Sequence, residues 1–190
     1  ARFAYGTDYI LNREGIKLTK GFDAVIYGNI PGGGMSRSAS LGINLILTMM
    51  EVSGLKPEND FRVVELAQKV ENDYIGSPCG ILDQTMIMFA KEGMGTHFDP
   101  KTKSISYVPL GKGADDFRIV VMDTGTVRPG LEKSTYKTRR NECERLSEMI
   151  RRDFKSLSCL ADIKDEHTYN KVRTHYQGSY PELCKRMDYI

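Results

Sequence analysis

Three consecutive glycines, Gly32, Gly33 and Gly34, constrain the fold of this chain more than any other feature. They follow a β-rich apolar run at 22–30 and precede a run at 36–53 that has the pattern of a largely buried helix. Glycine lets main-chain N–H groups approach an anion closely, and the N-terminus of the following helix adds its positive dipole end. The sequence therefore predicts a backbone cradle for phosphate, and with it a nucleotide.

The glycine loop differs from the two commonest nucleotide motifs. No Lys follows the glycines as in the P-loop, and the spacing is not G-x-G-x-x-G. A tight strand-to-helix connection without a ligand is the alternative interpretation. Ser36, Ser38 and Ser40 favour a ligand, because hydroxyls at a helix start either cap the helix or reach phosphate oxygens and Mg²⁺.

Helices and strands alternate along the chain. Strands are predicted at 22–30, 95–99, 105–110 and 117–123. Helices are predicted at 1–13, 36–53, 61–75 with Asp60 as its cap, 80–91, 134–153, 165–175 and 181–190. Helices interleaved with an antiparallel-looking run of strands predict an α+β fold. A shift in composition near residue 125 predicts a boundary there.

Bulk composition excludes several classes of partner. Among 190 residues, 27 basic side chains balance 25 acidic ones, which argues against a nucleic-acid-binding surface. No apolar run reaches transmembrane length, and no signal peptide is recognised, so no membrane partner is expected. The four cysteines lack C-x-x-C spacing, which predicts reduced thiols in a cytoplasmic protein. Oligomeric state is not predicted.

Two carboxylates form the candidate chemical centre. Glu71 lies on a predicted helix, and Asp83 follows twelve residues later in the first turn of the next one, after a turn forced by Gly76, Pro78 and Gly80. Near a phosphate cradle, one carboxylate can hold Mg²⁺ and the other can orient or deprotonate an attacking hydroxyl. The alternative is that Glu71 is a solvated helix residue and Asp83 only a capping acid.

Three ordered segments resemble the GHMP small-molecule kinases, in their galactokinase branch. Residues 28–41 are similar to the phosphate motif P-x-G-x-G-L-S-S-S-A, and 71–84 (ENDYIGSPCGILDQ) to the E…G-x-x-C-G-I-M-D-Q segment. Residues 127–140 (VRPGLEKSTYKTRR) are similar to V-R/K-H-S-L-x-x-S-x-Y-x-x-R-R. The implied fold is the α+β GHMP kinase fold. It would have a domain like the second domain of ribosomal protein S5 at 1–125 and the start of a ferredoxin-like C-terminal domain at 126–190.

The resemblance implies a role for each matching residue. The three glycines, with Ser36 and Ser38, would bind ATP; Ser38 and Glu71 would hold Mg²⁺; and Asp83 would be the catalytic aspartate. Gly80, Asp83 and Tyr136 would contact the sugar. The implied reaction is transfer of the ATP γ-phosphoryl group to the C1 hydroxyl of galactose, in galactose metabolism.

Departures from the family pattern leave alternatives open. Arg37 replaces a serine of the triplet, and the loop is one residue shorter than usual. A kinase for N-acetylgalactosamine or arabinose, or a galactose and ATP sensor without catalysis, would share the same motifs. The family's upstream G-R-V-N-L-I-G-E-H-T-D-Y and downstream G-G-G-F-G-G segments have no counterpart. We therefore expect a galactokinase-like fragment, truncated at both ends, with little activity alone.

Overall fold

The structure used here is a computed structural model, which describes residues 1–28, 35–111, 119–122, 125 and 135–188, without the side chains of Thr135 and Tyr136. The chain divides into two compact units, Ala1–Arg128 and Pro129–Ile190. Each unit has its own cluster of buried apolar side chains. The assignment of 1–125 and 126–190 to the two GHMP kinase domains stays a prediction.

Helices build the core of the first unit: α1 (Arg2–Arg13), α2 (Arg37–Val52), α3 (Asp60–Lys69), a π-helix (Val70–Ile75) and α4 (Leu82–Phe89). Helices α1, α2 and α3 each have an apolar stripe, and the stripes meet around Ile10, Ile46 and Leu66, which are fully buried. Helix α2 packs against both α3 and α4, and α1 packs against the π-helix. These contacts bring the start of α2, the end of α3 and the start of α4 into one neighbourhood.

The helix predicted at 61–75 differs from the observed one at both ends. Its cap is Asn59 rather than Asp60, because the Asn59 side chain accepts a hydrogen bond from the Arg62 N–H at 2.9 Å. After Lys69 the backbone widens into the π-helix, which ends at Gly76 with φ +80°. π-Helical turns are rare and frequently occur at functional sites.

A two-stranded antiparallel sheet follows α4 and confirms two of the predicted strands. Strand β1 (Met94–Asp99) pairs with β2 (Ser104–Pro109), from Met94 opposite Pro109 to Asp99 opposite Ser104. The Tyr107 hydroxyl donates to the Phe89 carbonyl at 2.8 Å, which ties the sheet to the end of α4.

The predicted strands at 22–30 and 117–123 are not observed in their described parts. Residues 22–28 and 119–122 have no ladder partner among the described segments, and Val25 and Ile119 are 96% and 83% exposed. An open groove of about 620 Å³ separates 22–28 from α2. The reason is that β-rich composition alone does not make a strand, since backbone groups must pair with a neighbour.

Helices make up the second unit where it is described: α5 (Thr135–Asp153), α6 (Glu166–Gln177) and α7 (Pro181–Met187), with a short 3₁₀ turn at Leu160–Asp162. Their core centres on Leu146, Ile150, Val172 and Leu183. All three agree with helices predicted from periodicity. None of the helices in the described ranges is both long and apolar enough to cross a membrane.

Candidate functional site

Glu71 is a buried carboxylate, with only 6% of its surface exposed. It lies at the second position of the π-helix, between the buried residues Val70 and Ile75. The Gln84 Nε2 donates a hydrogen bond to its Oε1 at 3.0 Å, and the Ser38 side chain lies close enough to lower its pKa. Burying a carboxylate is costly unless its charge is matched, and neither of these partners carries a charge.

The electrostatics of Glu71 follow from this setting. Burial raises the pKa of its carboxyl, the hydrogen bonds from Ser38 and Gln84 oppose that rise, and the charge of Asp83 adds to it. The ionised form of the carboxylate is therefore stabilised by neutral donors, in buried surroundings of low dielectric constant. Such a group is suited to bind a cation supplied from outside the protein.

Asp83 lies beside Glu71 but in a different environment. It is exposed in the first turn of α4, where the helix dipole favours a carboxylate. It is near enough to raise the pKa of both Glu71 and the Cys79 thiol. The fold therefore brings together Ser38, Glu71 and Asp83 from three separate segments. Their individual roles stay predictions.

The turn that carries Gly80 is held in place by hydrogen bonds between the side chains of Asn72 and Gln68 and the backbone of Cys79. The Asn72 side chain accepts from the Cys79 N–H at 2.7 Å and donates to the Cys79 carbonyl at 3.3 Å, while Gln68 donates to the same carbonyl at 3.1 Å. Gly80 itself is exposed, and a Cβ added there would meet nothing within 4 Å. Gly80 thus faces open space on a turn with a fixed position.

Cys79 is a thiol rather than a thiolate. Burial, followed by the charge of Glu71, raises its pKa to about 11. A protonated thiol is a poor nucleophile and a poor metal ligand. We therefore do not expect Cys79 to act as a nucleophile or as a metal ligand beside Glu71 and Asp83.

The start of α2 is suited to an anion. Ser36 has φ 53° at the N-cap position, its side chain makes no capping bond, and no acidic residue occupies the first turn. Arg37, the first residue of the helix, adds a positive charge. The predicted phosphate-binding Gly32, Gly33 and Gly34 lie outside the described residues.

Tyr136, which the sequence predicts at the sugar pocket, belongs to α5, and its side chain lies outside the described part of the chain. The sequence reasoning missed Gln84 and Asn72, whose side chains hold Glu71 and Cys79. A polar residue inside the apolar helix LDQTMIMF was a usable signal, because buried amides are normally paired.

Comparisons with known proteins agree with the sequence resemblance. Residues 3–91 match the family model described as GHMP kinases N terminal domain. A galactokinase of Lacticaseibacillus casei is 36% identical over 175 residues, which cover 86% of this chain and 44% of that relative. A galactokinase of Clostridium beijerinckii is 32% identical over 167 residues, which cover 87% of this chain and 42% of that relative.

A solved structure shows the same fold. The structure of Lactococcus lactis galactokinase complexed with galactose has a TM-score of 0.75 and 26% identity, covering 96% of this chain and 51% of that chain. The predicted α+β GHMP kinase fold is confirmed. The chain spans about half the length of this structure and somewhat less than half of the curated relatives.

Proposed function

We propose that this chain, which belongs to the GHMP kinase superfamily and resembles the galactokinases, acts in ATP-dependent phosphorylation of a sugar, with galactose as substrate and its C1 hydroxyl as acceptor. The observation that carries the proposal is the buried Glu71 with its neutral donors, beside the exposed Asp83. In phosphoryl transfer most catalysis is positioning and charge stabilisation, and this pair supplies both.

The donor set fits Mg²⁺. Glu71 and Ser38 would hold the ion through oxygen, which a hard cation prefers, and the Oε1 of Gln84 is a buried oxygen with no partner in the described part of the chain. That part has no group of three or more His, Cys, Asp or Glu residues that could cage a metal. Mg²⁺ is commonly held by one or two protein ligands plus substrate phosphates, where it neutralises phosphate charge.

Asp83 would act on the sugar. Its exposed carboxylate can accept a hydrogen bond from the C1 hydroxyl, align that oxygen with the phosphorus, and take its proton as the bond to phosphorus forms. Gly80 and Tyr136 would line the same sugar pocket. The absence of a side chain at Gly80 leaves room for a sugar hydroxyl against the clamped turn.

The start of α2 would hold the ATP phosphates. Its uncapped first turn and Arg37 provide a positive electrostatic environment, and Gly32, Gly33 and Gly34 would extend it with backbone N–H groups. Ser36 would contribute its hydroxyl. Cytoplasmic location and the absence of nucleic-acid and membrane partners stay predictions.

The proposal is tested by measuring directly the sugar phosphate that the whole protein forms. Mg²⁺-ATP is supplied with galactose, N-acetylgalactosamine, arabinose or glucose in parallel. Galactose 1-phosphate should form selectively, and Asp83→Asn should lower the rate about 100- to 10,000-fold because the proton acceptor is lost. Selective product from another sugar would change the substrate. Binding of ATP and galactose without product would favour a sensor, which Arg37 in the serine triplet also favours.

A further inference from the structure

Gln84 is buried in a way that stability does not explain. Its side chain is 1% exposed; Nε2 donates to Glu71 Oε1 at 3.0 Å and lies 3.5 Å from Cys79 Sγ. Its Oε1 is also buried and has no hydrogen-bond partner in the ranges described. An amide with an incomplete set of bonds costs more to bury than an apolar side chain of the same size.

The bond to Glu71 has a geometric consequence. A glutamate side chain has three rotatable bonds, and a hard cation with strict geometry needs its oxygen ligands fixed. Ser38 lies near the carboxylate on α2, and Gln84 donates a hydrogen bond to it from α4. The carboxylate thus lies between two helices, and the bond from Gln84 fixes its Oε1.

Gln84 also follows Asp83 directly. One turn of α4 thus places an exposed carboxylate and a buried amide side by side, and the amide is bonded to Glu71. A change in the Gln84–Glu71 bond would change the separation between Glu71 and Asp83. In the proposed reaction that separation relates the metal-bound phosphate to the acceptor hydroxyl.

We propose that Gln84 is a positioning residue: it orients the Glu71 carboxylate toward Mg²⁺ and sets the position of Asp83 relative to it. This rests on the proposed function. The groups that hold metal ligands in place typically contribute 10- to 100-fold to metal affinity or activity. We expect Gln84 to contribute to both.

Two variants test the proposal. Gln84→Met keeps the side-chain length but removes the amide that donates to Glu71. Gln68→Met is the matched control, since it removes an amide bond to the Cys79 carbonyl without touching Glu71. Mn²⁺ affinity is measured by electron paramagnetic resonance with the ATP analogue AMP-PNP, and kcat and KM are measured in the whole protein.

Gln84→Met should weaken Mn²⁺ binding about 10- to 100-fold and lower kcat, while the sugar KM changes less than about twofold. Gln68→Met should keep the parent's Mn²⁺ affinity. If neither the parent nor a variant phosphorylates any of the sugars, the proposed kinase function is wrong, and the Mn²⁺ affinities still decide the role of Gln84. Equal Mn²⁺ affinity in the parent and in Gln84→Met, or no Mn²⁺ binding by the parent, overturns the proposal.

One measurement needs no substitution. In the parent chain, Mn²⁺ with AMP-PNP should broaden the side-chain amide resonances of Gln84 more strongly than those of Gln68. This readout decides the case if a variant does not fold. Equal broadening of the two side chains would contradict a position for Gln84 next to the metal ligand.

Discussion

Two glutamates, one in contact with the helical segment at 60–75 and one within it, have carboxyl pKa values shifted in opposite directions. Glu14, just after α1, accepts hydrogen bonds from Lys69 at 2.7 Å and Arg62 at 3.1 Å, and these cations, Lys69 first, lower its pKa. Glu71 has neutral partners, and burial raises its pKa. Glu14 is thus electrostatically complete within the fold, whereas the hydrogen-bond donors to Glu71 are neutral and, under our proposal, a bound cation would supply the missing positive charge. The proposal therefore distinguishes a structural carboxylate, Glu14, from a functional one, Glu71.

The largest expected effect comes from neutralising Glu71. Glu71→Gln should lower sugar phosphorylation about 100- to 1,000-fold, since a charge that stabilises the transition state through the cation is lost. The urea midpoint should stay or rise, because a buried amide needs no counter-charge. Kinetics and urea unfolding check both expectations. Intact activity with a large loss of stability would reverse the assignment of the two glutamates.

The next largest effect is expected where α1 packs against the π-helix. A Cβ on Gly6 would lie 2.7 Å from the Tyr74 ring, so Gly6→Ala must displace either that ring or α1, where α1 packs against the π-helix that carries Glu71. We expect a loss of about 1–3 kcal/mol in the free energy of unfolding, measured in urea. Gly42→Ala is the matched control, since its nearest neighbour would be 3.9 Å away. Equal stability of the two variants would show that α1 and Tyr74 adjust without cost.

Removing the charge of Glu14 should affect stability alone. Glu14→Gln leaves Lys69 and Arg62 without their shared carboxylate and should cost about 1 kcal/mol in the free energy of unfolding. Catalysis should be unchanged, since Glu14 contacts neither Glu71 nor Asp83. A loss of kcat in this variant would contradict the separation drawn between the two carboxylates.

The pH dependence of that effect has a fixed sign. Because the folded-state pKa of Glu14 lies below its ordinary value of 4.5, its contribution is complete above 4.5 and is lost as pH falls through the lower folded value. The difference in unfolding free energy between parent and Glu14→Gln should therefore be largest near neutral pH and shrink in acid. A difference that grows in acid would refute the ion-pair explanation.

The smallest effect is expected at an exposed ion pair between α3 and the turn that joins β1 to β2. Lys103 lies 2.6 Å from Glu65, but both side chains are substantially exposed. Lys103→Ala should change the free energy of unfolding by less than about 0.5 kcal/mol, because solvent already screens the pair. A loss comparable with that of Glu14→Gln would show that burial is not what distinguishes the two ion pairs.

Sequence reasoning succeeded where the signal was local. Periodicity located α2, α5, α6 and α7, and alternation located β1 and β2. Chemistry and spacing predict one candidate centre at Glu71 and Asp83, and their roles there stay predictions. The π-helix was not predicted, because its wider turns carry no distinct residue pattern and depend on packing against α1.

The sequence alone determined the resemblance to the GHMP kinases, the helices with strong periodicity, and the residue types available for metal, phosphate and proton chemistry. Tertiary structure decided the environment of each of those residues. Glu71 is buried and Asp83 exposed because the π-helix and the first turn of α4 face different surroundings. Residues 22–28 are not a strand despite their composition, because a strand needs a hydrogen-bonding neighbour. Both outcomes depend on contacts between segments distant in sequence, which local patterns do not encode.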